Sequence, residues 1–167
     1  SLEFFKSSGK LKGKKREMYD GGIRSPMFAY WPGSIKAGTT SEHVSAFWDM
    51  LPTFSELTAE PIVGETDGIS LLPTLLGNPK EQKQHQHLYW ELYEGVPNSA
   101  VRYGKWKAVV LNRRKKLDIE LYNLETDPCE SENIEPYLLF NSTIKSFKLR
   151  VVSSIRFVVV GSISSKS

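Results

Sequence analysis

The sequence has little cysteine and no long apolar segment. Only Cys129 is a cysteine among the 167 residues, so no disulfide can form within the chain. No apolar run approaches the roughly 18 residues that cross a bilayer, and the first residues lack the order of a signal peptide. The chain is therefore not expected to be a disulfide-rich scaffold or to span a membrane.

Acidic residues are missing from one end of the chain. Residues 137–167 hold five Lys or Arg and no acid, and residues 1–24 hold seven Lys or Arg against three acids. This asymmetry makes a non-catalytic module that binds a polyanion, such as a sulfated glycan or nucleic acid, one candidate function. The basic residues lie in predicted loops and match no nucleic-acid-binding motif, so a nucleic-acid partner is not expected.

What the sequence does contain is the composition of one globular domain, with 40% hydrophobic and 25% charged residues. The short apolar run at residues 27–31 predicts a buried strand. Apolar residues at helical spacing over residues 47–57 predict a helix that starts near Asp49. Ser70 is predicted to cap a short second helix that ends at Gly77.

Several segments after residue 86 are short, rich in aromatic and branched residues, and separated by turns. They predict strands of a small antiparallel sheet, at residues 87–93, 100–103, 106–111 and 120–124. Gly104-Lys105 lies at hairpin distance between two of them. Residues 136–167 change composition and are interpreted as a divergent or disordered tail.

Three stretches carry motifs in a fixed order. Residues 13–26, here called the signature segment, read GKKREMYDGGIRSP. FWDMLPT at residues 47–53 is followed by DGISLLP at residues 67–73. Residues 121–133, here called the closing motif, read LYNLETDPCESEN. Over about residues 4–135 these motifs resemble those of bacterial formylglycine-dependent, arylsulfatase-like sulfatases, with Asn and Cys in the closing motif where the family often has Asp and Gly.

The resemblance implies an α/β fold, the C-terminal part of an alkaline-phosphatase-like architecture, with a small antiparallel sheet subdomain plus helices. Residues 1–79 would end the catalytic domain, residues 80–135 would form the sheet subdomain, and residues 136–167 would be the tail. The chain is expected to be a fragment whose main partner is the missing N-terminal half of the same enzyme.

The resemblance also implies hydrolysis of sulfate esters. In this family a formylglycine nucleophile is made from Cys or Ser in a Cys/Ser-x-Pro/Ala-x-Arg motif, and a calcium ion polarises the sulfate. Neither element is present, because Cys129 is followed by Glu-Ser-Glu and no Asp-Asp or Asp-Asn pair occurs. Calcium and formylglycine are therefore expected from the N-terminal half, and this chain alone is expected to be inactive.

By the same resemblance, the lysine four residues before the signature tyrosine contacts the substrate sulfate. That residue is Lys15, whose ammonium group would hold a sulfate oxygen and the charge that develops on it. Lys14 also follows Gly13 and is a second substrate-binding candidate. The alternative is that both are ordinary solvated loop lysines.

Other substrate-binding candidates are weaker: Arg24, His87, Trp90 and Glu91. Arg24 could bind an anion, although pairing with Asp20 is the favoured interpretation. His87 lies two residues from His85 but lacks a third nearby ligand, so no metal site is predicted. Trp90 and Glu91 could line a sugar or aryl site, although core packing is the commoner role of tryptophan.

The expected substrate is a sulfated small molecule or glycan. A phosphatase or phosphodiesterase of the same superfamily is an alternative, because the motif that would discriminate them is not in the chain. The sequence does not determine localisation, although the resemblance implies a periplasmic or extracellular enzyme.

Overall fold

The computed structural model describes residues 7–94, 98–111 and 118–136. The chain forms two compact units, one of Ser25–Gln86 and one of the chain up to Arg24 together with the chain from His87 onward. The predicted boundaries at residues 79 and 135 refer to the intact protein and stay a prediction. Residues 137–167, nearly all of the predicted tail, lie outside the described residues.

The unit that contains both chain ends is built on a four-stranded antiparallel sheet in which each strand pairs with the next along the chain. The strands are β1 (Leu88–Leu92), β2 (Asn98–Tyr103), β3 (Trp106–Leu111) and β4 (Asp118–Asn123). Gly104, with φ of +56°, begins the two-residue turn between β2 and β3. The predicted small antiparallel sheet is confirmed.

The two faces of this sheet carry separate apolar clusters, because alternate side chains of a strand point to opposite faces. One face holds the cluster of Val101, Ala108, Val110 and Leu121, with Ile134 packed against it. The other holds Met18, Ala100, Val109 and Tyr122. Since Met18 belongs to the signature segment, that segment covers the second face of the sheet.

Glycines in the signature segment allow two stretches of backbone to approach closely. A Cβ atom at Gly21 would lie 2.5 Å from the carbonyl oxygen of Gly13 and 2.6 Å from that of Lys12. A Cβ atom at Gly22 would overlap the carbonyl oxygen of Glu17. The short helix α1 (Asp20–Ile23) therefore packs directly on the preceding loop, which residues with side chains would prevent.

The unit of Ser25–Gln86 contains the predicted helices. A 3₁₀ turn at Phe47–Asp49 leads into α2 (Met50–Thr58), and α3 spans Leu72–Leu75. The Ser70 hydroxyl accepts a hydrogen bond from the Leu72 amide at 3.2 Å. Both helices are confirmed, but the N-cap of α3 is Leu71 and not Ser70, and α3 ends at Leu75.

The side of α2 that is buried is polar. Asp49 is fully buried and its carboxylate accepts hydrogen bonds from the amides of Ala46 at 2.7 Å and Ile69 at 2.9 Å. The Thr53 hydroxyl donates to the Asp49 carbonyl at 2.6 Å and accepts from the Leu71 amide at 2.9 Å. These bonds join the start of α2 to the segment that leads into α3.

The prediction of a buried strand at residues 27–31 is wrong for this chain. The segment has no regular secondary structure, and the side chains of Phe28 and Tyr30 are 93% and 91% exposed. A strand needs the backbone of a neighbouring strand to pair with, and no described residue supplies one here. Its addition to a larger sheet in the intact protein stays a prediction.

Candidate functional site

Lys15 lies in the middle of a tight turn in the signature segment. The amide of Glu17 donates to the carbonyl of Lys14 at 2.9 Å, and the amide of Lys14 donates back to the Glu17 carboxylate at 3.1 Å. Arg16 has φ of +76° and its guanidinium pairs with Glu94 at 2.7 Å. This turn, residues 14–17, is here called the lysine turn, and it presents the exposed side chains of Lys14 and Lys15.

A buried ionic network fixes the chain just after the lysine turn. The Lys107 ammonium lies 2.6 Å from Asp20 Oδ1 and 2.7 Å from Glu130 Oε1, and its side chain is fully buried. The Asp20 amide also donates to Glu130 Oε2 at 2.6 Å. We call Asp20, Lys107 and Glu130 the buried network; it joins the signature segment, strand β3 and the closing motif.

The buried network contains two carboxylates and one ammonium. Arg24 supplies a further positive charge, with its Nε 4.0 Å from Asp20 Oδ2, but its side chain is 56% exposed. Burial raises the pKa of the Glu130 carboxyl above its ordinary value of 4.5, and the hydrogen bonds from Lys107 and Asp20 oppose that shift. Removing one partner of such a buried ion pair costs about 3–5 kcal/mol, because the remaining charge is left uncompensated.

A second cluster fixes the chain just before the lysine turn. The Lys12 ammonium donates to the Tyr122 hydroxyl at 2.8 Å and lies 4.1 Å from the centre of the Tyr19 ring. Its charge is 3.8 Å from the Glu120 carboxylate. Lys12, Tyr19, Glu120 and Tyr122 are here called the tyrosine cluster, which connects the loop to strand β4.

The tyrosine cluster keeps its two phenols protonated. Both hydroxyls donate to the same Glu120 oxygen, Tyr19 at 2.6 Å and Tyr122 at 2.7 Å. Burial, and then the hydrogen bond to the charged Glu120, raise the pKa of each phenol above its ordinary value of 10.0. The two phenols therefore act as hydrogen-bond donors throughout the physiological pH range.

The structure separates the weaker candidates. Arg24 lies beside Asp20, in the favoured pairing, and His87 is exposed just before β1. Trp90 packs against the apolar cluster that includes Met18, whereas Glu91 follows it on the strand and therefore points to the opposite face. Trp90 and Glu91 therefore lie on different faces of the sheet, and their substrate-binding roles stay predictions.

His85 is part of the buried hydrogen bonding in the other unit. Its Nε2 lies 2.8 Å from Asp49 Oδ1. Within the described residues, no three His, Cys, Asp or Glu side chains lie together as a metal site. Asp20 and Glu130 do lie together, but both are engaged by Lys107. The described donor set does not fit a calcium ion.

Sequence reasoning missed the residues that hold the lysine turn. Lys107 occurs in the strand WKAVVL, where a lysine at an inward position between apolar residues was a signal of a buried ion pair. Glu130 was noted only as part of the closing motif. Lys12 and Glu120 carry no local pattern that distinguishes them from solvated charges.

Comparisons with known proteins show which proteins this chain resembles. Human arylsulfatase A is 42% identical over 103 residues, which cover 60% of this chain and 20% of that protein. The chain therefore spans about a fifth of the length of this relative.

Solved structures have the same fold. BT4656, in complex with its substrate D-glucosamine-2-N,6-O-disulfate, has a TM-score of 0.64 at 22% identity over 82% of this chain and 29% of its own. Ps i-CgsB, in complex with k-i-k-neocarrahexaose, has a TM-score of 0.65 at 25% identity over 86% of this chain and 32% of its own.

The family match extends beyond Glu135, where the motifs of the sequence end. It covers residues 13–155 and is described as N-sulphoglucosamine sulphohydrolase, C-terminal. The proposed resemblance and the alkaline-phosphatase-like fold class are thereby confirmed. Since the match includes the signature segment, the sheet and the closing motif, the chain belongs to this family of C-terminal sulfatase domains.

Proposed function

We propose that the chain is the C-terminal part of an enzyme that hydrolyses sulfate esters, and that Lys15 contacts the sulfate. The observation that carries this proposal is the placement of the lysine turn. It is exposed, yet the tyrosine cluster fixes the chain before it and the buried network fixes the chain after it. A solvated loop lysine would need neither connection.

The chemistry of sulfate ester hydrolysis suits such a fixed ammonium group. A bond from the hydroxyl oxygen of the nucleophile to sulfur would form, the bond from sulfur to the alcohol oxygen would break, and the hydroxyl proton would end on the departing alcohol, while the sulfate oxygens carry negative charge. A donor already in place stabilises that charge without having to reorganise during the reaction. Lys15 would hold a sulfate oxygen throughout, and the lysine turn would keep its position constant.

Other parts of the intact enzyme would supply the remaining chemistry. We propose that calcium and formylglycine, the family's metal and nucleophile, come from the N-terminal half, the partner that the chain requires. The free thiol of Cys129 is not followed by the residues of the formylglycine motif. This chain alone would accordingly lack turnover.

The substrate class proposed is a sulfated small molecule or glycan. Two structural relatives were solved with D-glucosamine-2-N,6-O-disulfate and with k-i-k-neocarrahexaose, which supports a carbohydrate. Lys14 would assist Lys15 from the same turn, and Arg24 and His87 would contact substrate from exposed positions. On β1, Trp90 and Glu91 would be the residues that contact a sugar.

The experiment that tests this proposal compares lysine variants of the intact enzyme. Lys15→Ala should lower kcat for an aryl sulfate about 10²–10³-fold, the usual loss for one donor to a developing oxyanion. Lys10→Ala, which removes an exposed lysine that precedes the signature segment, is the control and should leave kcat unchanged. Full activity of Lys15→Ala would refute the assignment, and faster turnover of an aryl phosphate would favour the phosphatase alternative.

A further inference from the structure

Lys107 is buried to a degree that lysine rarely reaches. Its side chain is 0% exposed, and it lies on β3, one of the two inner strands of the sheet. Lysine is almost never fully buried unless it is paired, and a buried ion pair often stabilises a fold less than apolar side chains of the same volume. Stability alone is therefore a weak reason for an ammonium group at this position.

The contacts of Lys107 lead toward the lysine turn. Its ammonium binds the carboxylate of Asp20, the first residue of α1, and Glu130 binds the Asp20 amide from the other side. The side-chain carboxylate and the backbone amide of Asp20 are thus both held by hydrogen bonds. Charge-assisted hydrogen bonds are strong and directional, whereas an apolar contact would let α1 slide or rotate.

The backbone of α1 is in direct contact with the backbone of the lysine turn and of the residues just before it. The Gly21 amide donates to the Lys12 carbonyl at 2.7 Å. Gly22 lies so close to the carbonyls of Lys14 and Glu17 that no Cβ atom would fit. A shift of α1 would therefore displace both ends of the turn that carries Lys15.

We propose that Lys107 is a positioning residue, whose buried ammonium fixes the direction of α1 and, through it, the position of Lys15. The catalytic consequence rests on the proposed function, because it requires that Lys15 contact sulfate. The structural consequence, a lysine turn held by a charge on β3, does not depend on sulfate.

The first experiment measures amide hydrogen exchange in the 167-residue chain. The triple variant Asp20→Asn/Lys107→Met/Glu130→Gln removes all charge from the buried network, so that no buried charge is left unpaired. Exchange at Glu17, Asp20 and Gly21 should rise about tenfold or more, as expected for the loss of charge-assisted hydrogen bonds. Exchange in the ladder between β2 and β3 should stay unchanged, which a purely stabilising role would not produce.

Two further variants make the result interpretable. Lys105→Met removes an exposed lysine from the same hairpin, where its partner is the exposed Glu125, and should leave exchange in the lysine turn unchanged. If the triple variant does not fold, Asp20→Asn/Lys107→Met serves, because it removes the pair on which the proposal rests and leaves Glu130 its bond to the backbone amide of residue 20. A folded variant with wild-type exchange at Glu17 and Gly21 would overturn the proposal.

The second experiment measures turnover of an aryl sulfate by the intact enzyme. The triple variant should lower kcat about tenfold, which corresponds to an increase of about 1.4 kcal/mol in the activation free energy. If Lys15→Ala leaves turnover unchanged, the proposed function fails whatever the exchange rates show. If Lys15→Ala abolishes turnover while the triple variant retains wild-type exchange and kcat, only the role of Lys107 fails.

Discussion

Tyr19 and Tyr122 donate their hydroxyl protons to the same oxygen of Glu120, at 2.6 Å and 2.7 Å. Their rings meet edge to face, with centroids 6.3 Å apart and planes inclined by 73°. The first tyrosine belongs to the signature segment and the second to the closing motif. Two motifs far apart in the chain thus meet at one carboxylate.

Removal of one of these hydroxyl groups should measurably destabilise the fold. Tyr122→Phe deletes a donor to Glu120 and the acceptor for Lys12. The expected loss in the free energy of unfolding is about 1–3 kcal/mol, since two polar partners are left under-satisfied. Urea unfolding measures it, and Tyr30→Phe, at a tyrosine that is 91% exposed, is the matched control. Equal stability of Tyr122→Phe and the control would contradict the assigned bonds.

Glu130 should make stability depend on pH in a definite direction. Because burial raises its pKa above 4.5 in the folded state, the folded chain binds this proton more tightly than the unfolded chain does. Its contribution to stability is present below the unfolded pKa and is lost as pH rises through the folded pKa. Glu130→Gln should remove this decline.

The measurement for Glu130 is a difference between two curves. The free energy of unfolding of the wild type and of Glu130→Gln is determined at several pH values upward from about 4, where unperturbed glutamate titrates. Titrating groups whose side chains do not contact that of Glu130, such as Asp127, contribute equally to both proteins. Parallel curves would show that Glu130 has the same pKa folded and unfolded.

Gly22→Ala should disturb the lysine turn through backbone overlap. The added methyl group would collide with the carbonyl oxygens of Lys14 and Glu17, so the turn and α1 would have to separate. We expect a loss of about 2 kcal/mol or more, within the range for overpacked sites, and faster amide exchange at Glu17. Gly33→Ala is the control, because its Cβ atom meets open space and only its φ of +84° is unfavourable.

Asp49 should be indispensable to the unit of Ser25–Gln86. Its buried carboxylate accepts from the amides of Ala46 and Ile69 and lies against His85. Asp49→Asn keeps the shape of the side chain but turns one acceptor into a donor, so at least one partly buried amide loses its partner, at a cost of about 1–3 kcal/mol. Limited proteolysis measures this effect, and we expect cleavage within α2 to be faster in Asp49→Asn than in the wild type. Asp67→Asn, at an exposed aspartate, should leave the digestion pattern unchanged.

The sheet could be predicted from sequence because its signals are local. Aromatic and branched residues, interrupted by Gly104 at a turn, favour paired strands whatever lies beyond them. The helices after Asp49 and Ser70 were predictable for the same reason. Residues 27–31 were not, because the burial of a strand depends on a neighbour that a short apolar run cannot specify.

The candidate site was only partly predictable. Lys15 was proposed from the resemblance of the signature segment, and its role stays a prediction, whereas the side chains that hold its turn had no such signal. Lys107 contacts Asp20, which lies 87 residues away in sequence, and no spacing rule connects such partners. Trp90, on a strand, packs partly buried against the cluster that includes Met18, and its role in substrate binding stays a prediction.

The buried network also sets an order of events during folding. The amide of Asp20 and the carboxylate of Glu130 are 110 positions apart along the polypeptide, and contacts between remote positions form late because a long loop must close first. During synthesis the turn bearing Lys15 would leave the ribosome before Glu130 does, and it would take its final shape only after Glu130 has been added. Loss of the chain from Glu130 onward would therefore leave that turn without the contact that fixes it, although every residue of the turn had been made.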